Sequence, residues 1–233
     1  MQQPVCVVIG VGPGNGVALS KRFAHEGYRV AMLTRSEDKL REYERAIPHS
    51  WGISCDASNA DALRSALDTV VTSWADVDVL IYNAGAGVWG TFEDVSAEDF
   101  ETTWRVNARG LYVAAQHAAP SMAERGQGAI LVIGAGAAWR GRPKTVAFAA
   151  AKAAQRSLAQ SLARQLGPRG VHVAYFVIDG VIDLPRTREM MPNKPDDFFL
   201  QPDAIATSVY QTATQPRSAW SFEVELRPFG ENW

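Results

Sequence analysis

A short, unbroken apolar run, Val5-Cys6-Val7-Val8-Ile9, leads directly into the turn Gly10-Val11-Gly12-Pro13-Gly14-Asn15-Gly16. An amphipathic stretch follows from Val17 to Glu26. A β-branched strand without polar alternation suits a position covered on both faces, as in a parallel sheet. In the next stretch Ala18, Leu19, Phe23 and Ala24 fall on one side at helical spacing. Gly27 ends that stretch, and Arg29 to Leu33 reads as a second strand. Strand, turn, helix and strand in this order form a βαβ unit.

The same alternation continues through most of the chain. Helices are expected over Ser36–Ala46, Asn59–Trp74 and Thr145–Leu166, with a long one over Ala97–Glu124 bent by Gly110 and Pro120. Strands are expected over Trp51–Cys55, Val77–Tyr82, Gly128–Ile133 and Val171–Ile178. Repeated β/α alternation predicts an α/β fold: a three-layer, doubly wound Rossmann fold with a mostly parallel sheet and helices on both faces. At 233 residues the chain suits one such domain, 1–233. Residues 181–200, rich in proline, charge and aromatics, read as a substrate-side lid, followed by a helix over Pro202–Thr212 and a last strand over Ser221–Leu226.

A strand that enters a helix through glycines makes an anion site. The first helical N–H groups point outward, the helix dipole favours negative charge there, and glycine permits close approach. Gly-x-Gly-x-x-Gly fails here, because position 15 is Asn; the spacing that fits is Gly10-xxx-Gly14-x-Gly16. The alternative reading is a purely structural turn.

That spacing resembles the short-chain dehydrogenase/reductase family, and the resemblance covers about 180 residues. Asp56 matches the family aspartate that contacts adenine, and Asn83-Ala84-Gly85 matches the motif after the fourth strand. Asn107, in Arg105-Val106-Asn107, matches the asparagine of the long fourth helix, and Lys152 matches the lysine of Tyr-x-x-x-Lys. Taken singly, Asp56 also reads as a helix cap and Asn83 as a turn residue. The resemblance implies a nicotinamide dinucleotide held by Gly10, Gly14, Asn15, Gly16, Asp56, Asn83, Ala84, Gly85 and Lys152. After the second strand, Leu33-Thr34-Arg35-Ser36 has no acid for the ribose hydroxyls, and Arg35, with Ser36, suits a 2′-phosphate. NADP is therefore expected in preference to NAD. A solvated Arg35 at a strand end is the competing reading.

Two family positions depart from the pattern. Without gaps, the serine position falls on Ala135, and the tyrosine position, four before Lys152, falls on Phe148. In the family the tyrosine exchanges a proton with the substrate oxygen, the serine holds that oxygen, the lysine lowers the tyrosine pKa, and the asparagine supports a water relay. Phenylalanine and alanine have no hydroxyl to offer. A positioned acid or base contributes on the order of 10²- to 10⁴-fold in rate. The chain also resembles a bacterial branch of the family that shares Phe-x-x-x-Lys and a segment like Ile178-Asp179-Gly180-Val181-Ile182-Asp183. Substitute acids to weigh are Tyr82, Arg140, His172, Tyr175, Asp179 and Asp183; for His172 and Tyr175 core packing is the favoured role, and for the two aspartates a turn or cap is an equal alternative. Trp89 and Trp139 fall in loops where such sheets bind ligands, and line a pocket or pack the lid.

Three functions follow. The first is an atypical NADP-dependent oxidoreductase acting on a small-molecule substrate. The second is a catalytically silent NADP-binding regulator or partner subunit. The third, elimination or dehalogenation, ranks last, because such relatives lose the glycine turn and keep the tyrosine, the opposite of this chain. A net charge of −2 gives no electrostatic case for nucleic acid or an anionic membrane. The histidines show no metal spacing, so no metal is expected. Cys6 and Cys55 read as buried free thiols, which suits a reducing cytoplasm. The resemblance further implies a homodimer or homotetramer through 97–124 and 145–166, with the aromatic segment Trp220 to Trp233 as a further interface candidate.

Overall fold

The computed structural model describes residues 3–230. β1 (Val5–Ile9), α1 (Asn15–His25), β2 (Arg29–Thr34), α2 (Glu37–Ala46), β3 (Ser50–Ser54), α3 (Ala60–Ser73) and β4 (Val79–Tyr82) form the first half. α4 (Ala97–Trp104), α5 (Gly110–Glu124), β5 (Gly128–Ile133), α6 (Val146–Leu166), β6 (Val171–Ile178), β7 (Val181–Ile182), α7 (Pro185–Met190), β8 (Phe199–Leu200), α8 (Pro202–Ala213) and β9 (Glu223–Leu226) complete the chain. The main sheet has the order β3-β2-β1-β4-β5-β6-β9, and its neighbouring strands run parallel. β1 lies between β2 and β4, with Val7 opposite both Ala31 and Leu80. The strand order reverses at this point, so a crevice opens beyond the carboxyl ends of β1 and β4.

Both faces of the sheet are covered, and successive residues of β1 serve different cores. Val5, Val7 and Ile9 pack with α3 and α5 through Leu63, Leu67, Leu111 and Ala115. Cys6 and Val8 face α1 and α8 through Leu19, Phe23, Ile205 and Val209. This is the period-2 alternation of a strand placed between two apolar layers. Fully burying a side chain such as Leu19 or Phe23 contributes roughly 1.5–3 kcal/mol.

Several expected boundaries moved. β4 begins at Val79, not Val77, and the Asp78 carboxylate just before it accepts the Val5 N–H at 2.8 Å. β9 begins at Glu223 because Ser221 turns toward Gln215, whose Oε1 accepts the Ser221 N–H at 2.8 Å. The expected long helix over 97–124 is instead α4 and α5 joined by a π-helical turn, Arg105–Arg109. The irregularity therefore precedes Gly110. Gly110 serves close approach, since a Cβ there would meet the Tyr82 hydroxyl at 2.1 Å and Ala57 O at 2.6 Å. Pro120 sits inside α5 without ending it. Within 181–200, β7 pairs with β8 (Val181↔Phe199, Ile182↔Leu200) and α7 lies between them in the chain. Of the closing aromatic segment, residues 231–233, including Trp233, lie outside the described residues.

Candidate active site

At the β1–α1 junction the backbone is fitted to its neighbours. Gly10 has φ +90°, and a Cβ there would lie 2.4 Å from both Cα and N of Ala84. Asn83 fixes this contact by donating from Nδ2 to Gly10 O at 2.7 Å. A Cβ at Gly16 would lie 2.6 Å from Val11 Cα, so glycine lets α1 start against the end of β1. Asn15 and Gly16 occupy the first helical positions, whose N–H groups have no partner within their own helix. Asn15 is buried, and its Oδ1 has no hydrogen-bond partner. Leu184, just after β7, packs over Gly14, its Cδ2 standing 2.4 Å from where a Cβ would be. These groups line a cleft of about 740 Å³ that also takes in Thr34, Arg35, Lys39, Asp56, Ala84, Gly85, Ala86 and Arg186.

Arg35 and Lys39 form one cationic corner of this cleft, with Lys39 one helical turn beyond the strand end. Both are exposed, and neither pairs with a carboxylate among the described residues. Asp56 lines the neighbouring wall while its Oδ1 accepts the Ser58 N–H at 2.9 Å. Its turn role and its place in the cleft thus coexist. The cap of α3 is Asn59, which accepts from Asp61 and Ala62 at 3.0 and 3.1 Å. Ser36 is exposed and does not line the cleft.

Lys152 is buried at 4% exposure, donating to Ile133 O at 3.1 Å and to Gln155 Oε1 at 3.0 Å. Burial alone lowers its pKa from 10.5 to about 7. Gln155, fully buried, donates in turn to Asn107 O at 2.9 Å, in the middle of the π-helical turn. The wider turn leaves that carbonyl turned toward α6, and Gln155 satisfies it. Asn107 Nδ2 donates to Ala86 O at 2.7 Å and Thr103 O at 2.8 Å, while its buried Oδ1 has no partner. A Cβ at Gly85 would lie 3.6 Å from this oxygen and 3.7 Å from Lys152 Nζ. Both polar atoms therefore lie beside the Gly85 end of the cleft.

The sequence model of the short chain dehydrogenase family matches residues 4–194. This chain belongs to that family. A short-chain dehydrogenase/reductase of Armillaria gallica is 34% identical over 183 residues, 75% of this chain and 70% of its own length. The crystal structure of a short-chain dehydrogenase from Rhodopseudomonas palustris superposes with a TM-score of 0.84 at 33% identity, covering 98% of this chain and 100% of that one. A metagenomic short-chain oxidoreductase in complex with NADP gives a TM-score of 0.84 at 27% identity, covering 97% and 98% of the two chains.

Within this short-chain dehydrogenase the remaining candidates are held elsewhere. Tyr82 is fully buried and donates its hydroxyl to Val106 O. Tyr175 is also fully buried, its hydroxyl 3.4 Å from Lys152 O. Burial raises both phenol pKa values well above the ordinary one. His172 stacks on Trp220 at 4.7 Å and bonds Ser221 O at 2.8 Å, near the start of β6 and away from the carboxyl ends that form the cleft. Asp179 is paired with Arg140 at 2.7 Å, so two candidates neutralise each other, and Arg227 is a second partner at 3.6 Å. Asp183 accepts from Arg188 at 2.7 Å and from Gln201 at 2.9 Å, which holds its carboxyl down at about 2.

Phe148 lies one helical turn before Lys152, with Lys152 Nζ 6.0 Å from its ring centre. Trp89 covers the ring at 5.2 Å, tilted by 37°. Gly90 pins the Trp89 loop to the start of α6 by donating to Lys144 O at 3.0 Å. Trp139 and Arg140 line a second hollow with Phe92 and Arg142, away from the glycine turn. Gln155, Lys39, Arg186 and Leu184 were not singled out in the sequence. Only Lys39 carried a signal, a base one turn beyond Arg35. Among the described residues no His, Cys, Asp or Glu cluster could hold a metal, and no helix is long and apolar enough to cross a membrane. Both cysteines are buried and free.

Proposed function

We propose that this chain is an NADP-dependent oxidoreductase that transfers hydride without the usual serine–tyrosine pair. The observation that carries the cofactor assignment is the unpaired Arg35–Lys39 corner beside a cleft with no acid at the ribose position. The unpartnered Asn15 Oδ1, the two helical N–H groups and the Gly10–Ala84 contact fit a pyrophosphate laid across the turn. Lys152 and Asn107, facing Gly85, suit the ribose and nicotinamide end. When bound, the reduced nicotinamide supplies the hydride. The relative solved with NADP supports the same choice. Ala135 and Phe148 fall at the positions of the proton-handling pair when the sequence is read without gaps, and that reading supports an atypical reaction on a small-molecule substrate. The same two residues favour a second reading, a silent NADP-binding regulator. Exposed Phe100, Trp104 and Tyr112 along α4 and α5 support pairing of two copies through this face. Buried free thiols suit a cytoplasmic setting.

Calorimetric titration with NADPH and NADH tests the cofactor assignment. NADPH binds more tightly to the wild type, and Arg35→Ala/Lys39→Ala removes roughly tenfold or more of that preference, as expected for lost charged hydrogen bonds. Equal affinities in the wild type overturn it. Sustained NADPH turnover with any substrate rejects the regulator.

A further inference from the structure

We propose that the substrate of this site is an iminium cation, bound against the Trp89–Phe148 aromatic pair and reduced to an amine with no proton transfer. The proposal rests on the oxidoreductase reading above and names its substrate class.

The first argument is an inventory of protons. Reducing a ketone places charge on oxygen, and a donor must meet it there. Around this site the donors are absent or committed. Phe148 and Ala135 carry none, Tyr175 is spent on Lys152 O, and Asp179 and Asp183 are paired with arginines. Lys152 spends two of its three N–H groups on Ile133 O and Gln155 Oε1, and the third faces Gly85 at the end assigned above to the ribose. An iminium ion needs none of this. A reduced nicotinamide dinucleotide gives hydride to the iminium carbon, a C–H bond forms, and the C=N π pair becomes the nitrogen lone pair. One positive charge passes from the iminium ion to the oxidised nicotinamide, and no proton moves.

The second argument is the wall that faces the incoming substrate. Trp89 is 65% exposed, so most of a large indole is left open to a ligand. It is held against Phe148 at 5.2 Å by a loop pinned to α6 through Gly90. Gly87, beside the cleft-lining Ala86, would place a Cβ 3.0 Å from Phe148, which sets the pair just beyond the Gly85 end of the cleft. Aromatic faces attract cations, and tryptophan most strongly. A neutral carbonyl gains no such attraction.

The test has a binding arm and a reaction arm. The non-reducible cation N,N-dimethylpyrrolidinium is titrated calorimetrically into protein saturated with NADP+. Binding is expected, and Trp89→Ala or Phe148→Leu should weaken it roughly threefold to thirtyfold, the range from an exposed to a desolvated cation on an aromatic face. The affinity for NADP+ stays unchanged in Trp89→Ala. In the reaction arm, NADPH oxidation is followed with N-methyl-1-pyrrolinium and with cyclopentanone. The iminium salt should be reduced and the ketone left alone, with a solvent deuterium effect near unity. Cofactor binding with ketone reduction as fast as iminium reduction, or with no iminium turnover, sinks the substrate assignment and leaves the cofactor reading standing. Unchanged ammonium affinity in both variants also overturns it. Failure to bind NADPH at all instead overturns the reading on which the proposal rests.

Discussion

Replacing Lys152 by methionine should change the way stability depends on pH. The ammonium is 4% exposed, and burial lowers its pKa from 10.5 to about 7. That difference corresponds to about 5 kcal/mol of penalty for holding the charged form in the folded state. The sign follows from proton counts. Below about pH 7 both states hold the proton and the folded state carries the whole penalty. Between about 7 and 10.5 the unfolded chain keeps a proton that the folded one has released, so stability rises with pH. Integrated from about pH 6.5 to about pH 9.5, the wild type gains about 3 kcal/mol from this group, and Lys152→Met gains nothing from it. For a chain of this size that difference is about 6–12 °C in Tm. The absolute effect of the substitution is smaller, since Ile133 O and Gln155 Oε1 lose a donor, at about 1–3 kcal/mol each. Urea or thermal unfolding of both proteins at the two pH values gives the comparison. Parallel pH profiles would refute the idea that Lys152 is desolvated and carries this penalty.

Gln155→Leu leaves Asn107 O without its donor and should cost about 1–3 kcal/mol, read as a Tm lower by about 2–12 °C; an unchanged Tm shows that the π-helical turn does not need it. Gly10→Ala forces a side chain into φ +90° and onto the Ala84 backbone, so it should be strongly destabilised and bind NADPH at least tenfold more weakly. Gly12→Ala meets nothing within 4 Å and should match the wild-type Tm, which makes it the control for crowding at the turn.

Much of the fold could be read because each strand of the first half carries its own signal. Val5–Ile9 is apolar on both faces because both faces are covered, and the glycine spacing marks the turn that follows. Joints that depend on distant partners could not be read. Nothing between 97 and 124 shows that Asn107 sits in a π-helical turn, because the group that stabilises that turn, Gln155, lies on α6. Gly110 invited a reading as a bend, while its role is to let α5 pass close to Tyr82 and Ala57. Among the site residues, Lys152, Asn107, Asn83 and the glycines were legible through motif order. The pairing of Asp179 with Arg140 was not, because the two come together only when β6 lies beside β5. Ser36 stands exposed just before α2, outside the lining of the cleft that Arg35 and Lys39 share.

The β7–β8 pair has a consequence for how such a chain can diversify. Val181 and Ile182 are bonded to Phe199 and Leu200, so residues 183–198 leave and rejoin the body at one clamped neck. A segment tethered in this way can be lengthened, shortened or exchanged with little strain passed to the parallel sheet, because loop closure depends only weakly on length. Leu184 packs over Gly14 and Arg186 lines the same cleft, so the stretch free to vary begins after Arg186. Exchanging only the stretch between Arg186 and Phe199 would keep the residues that meet the glycine turn.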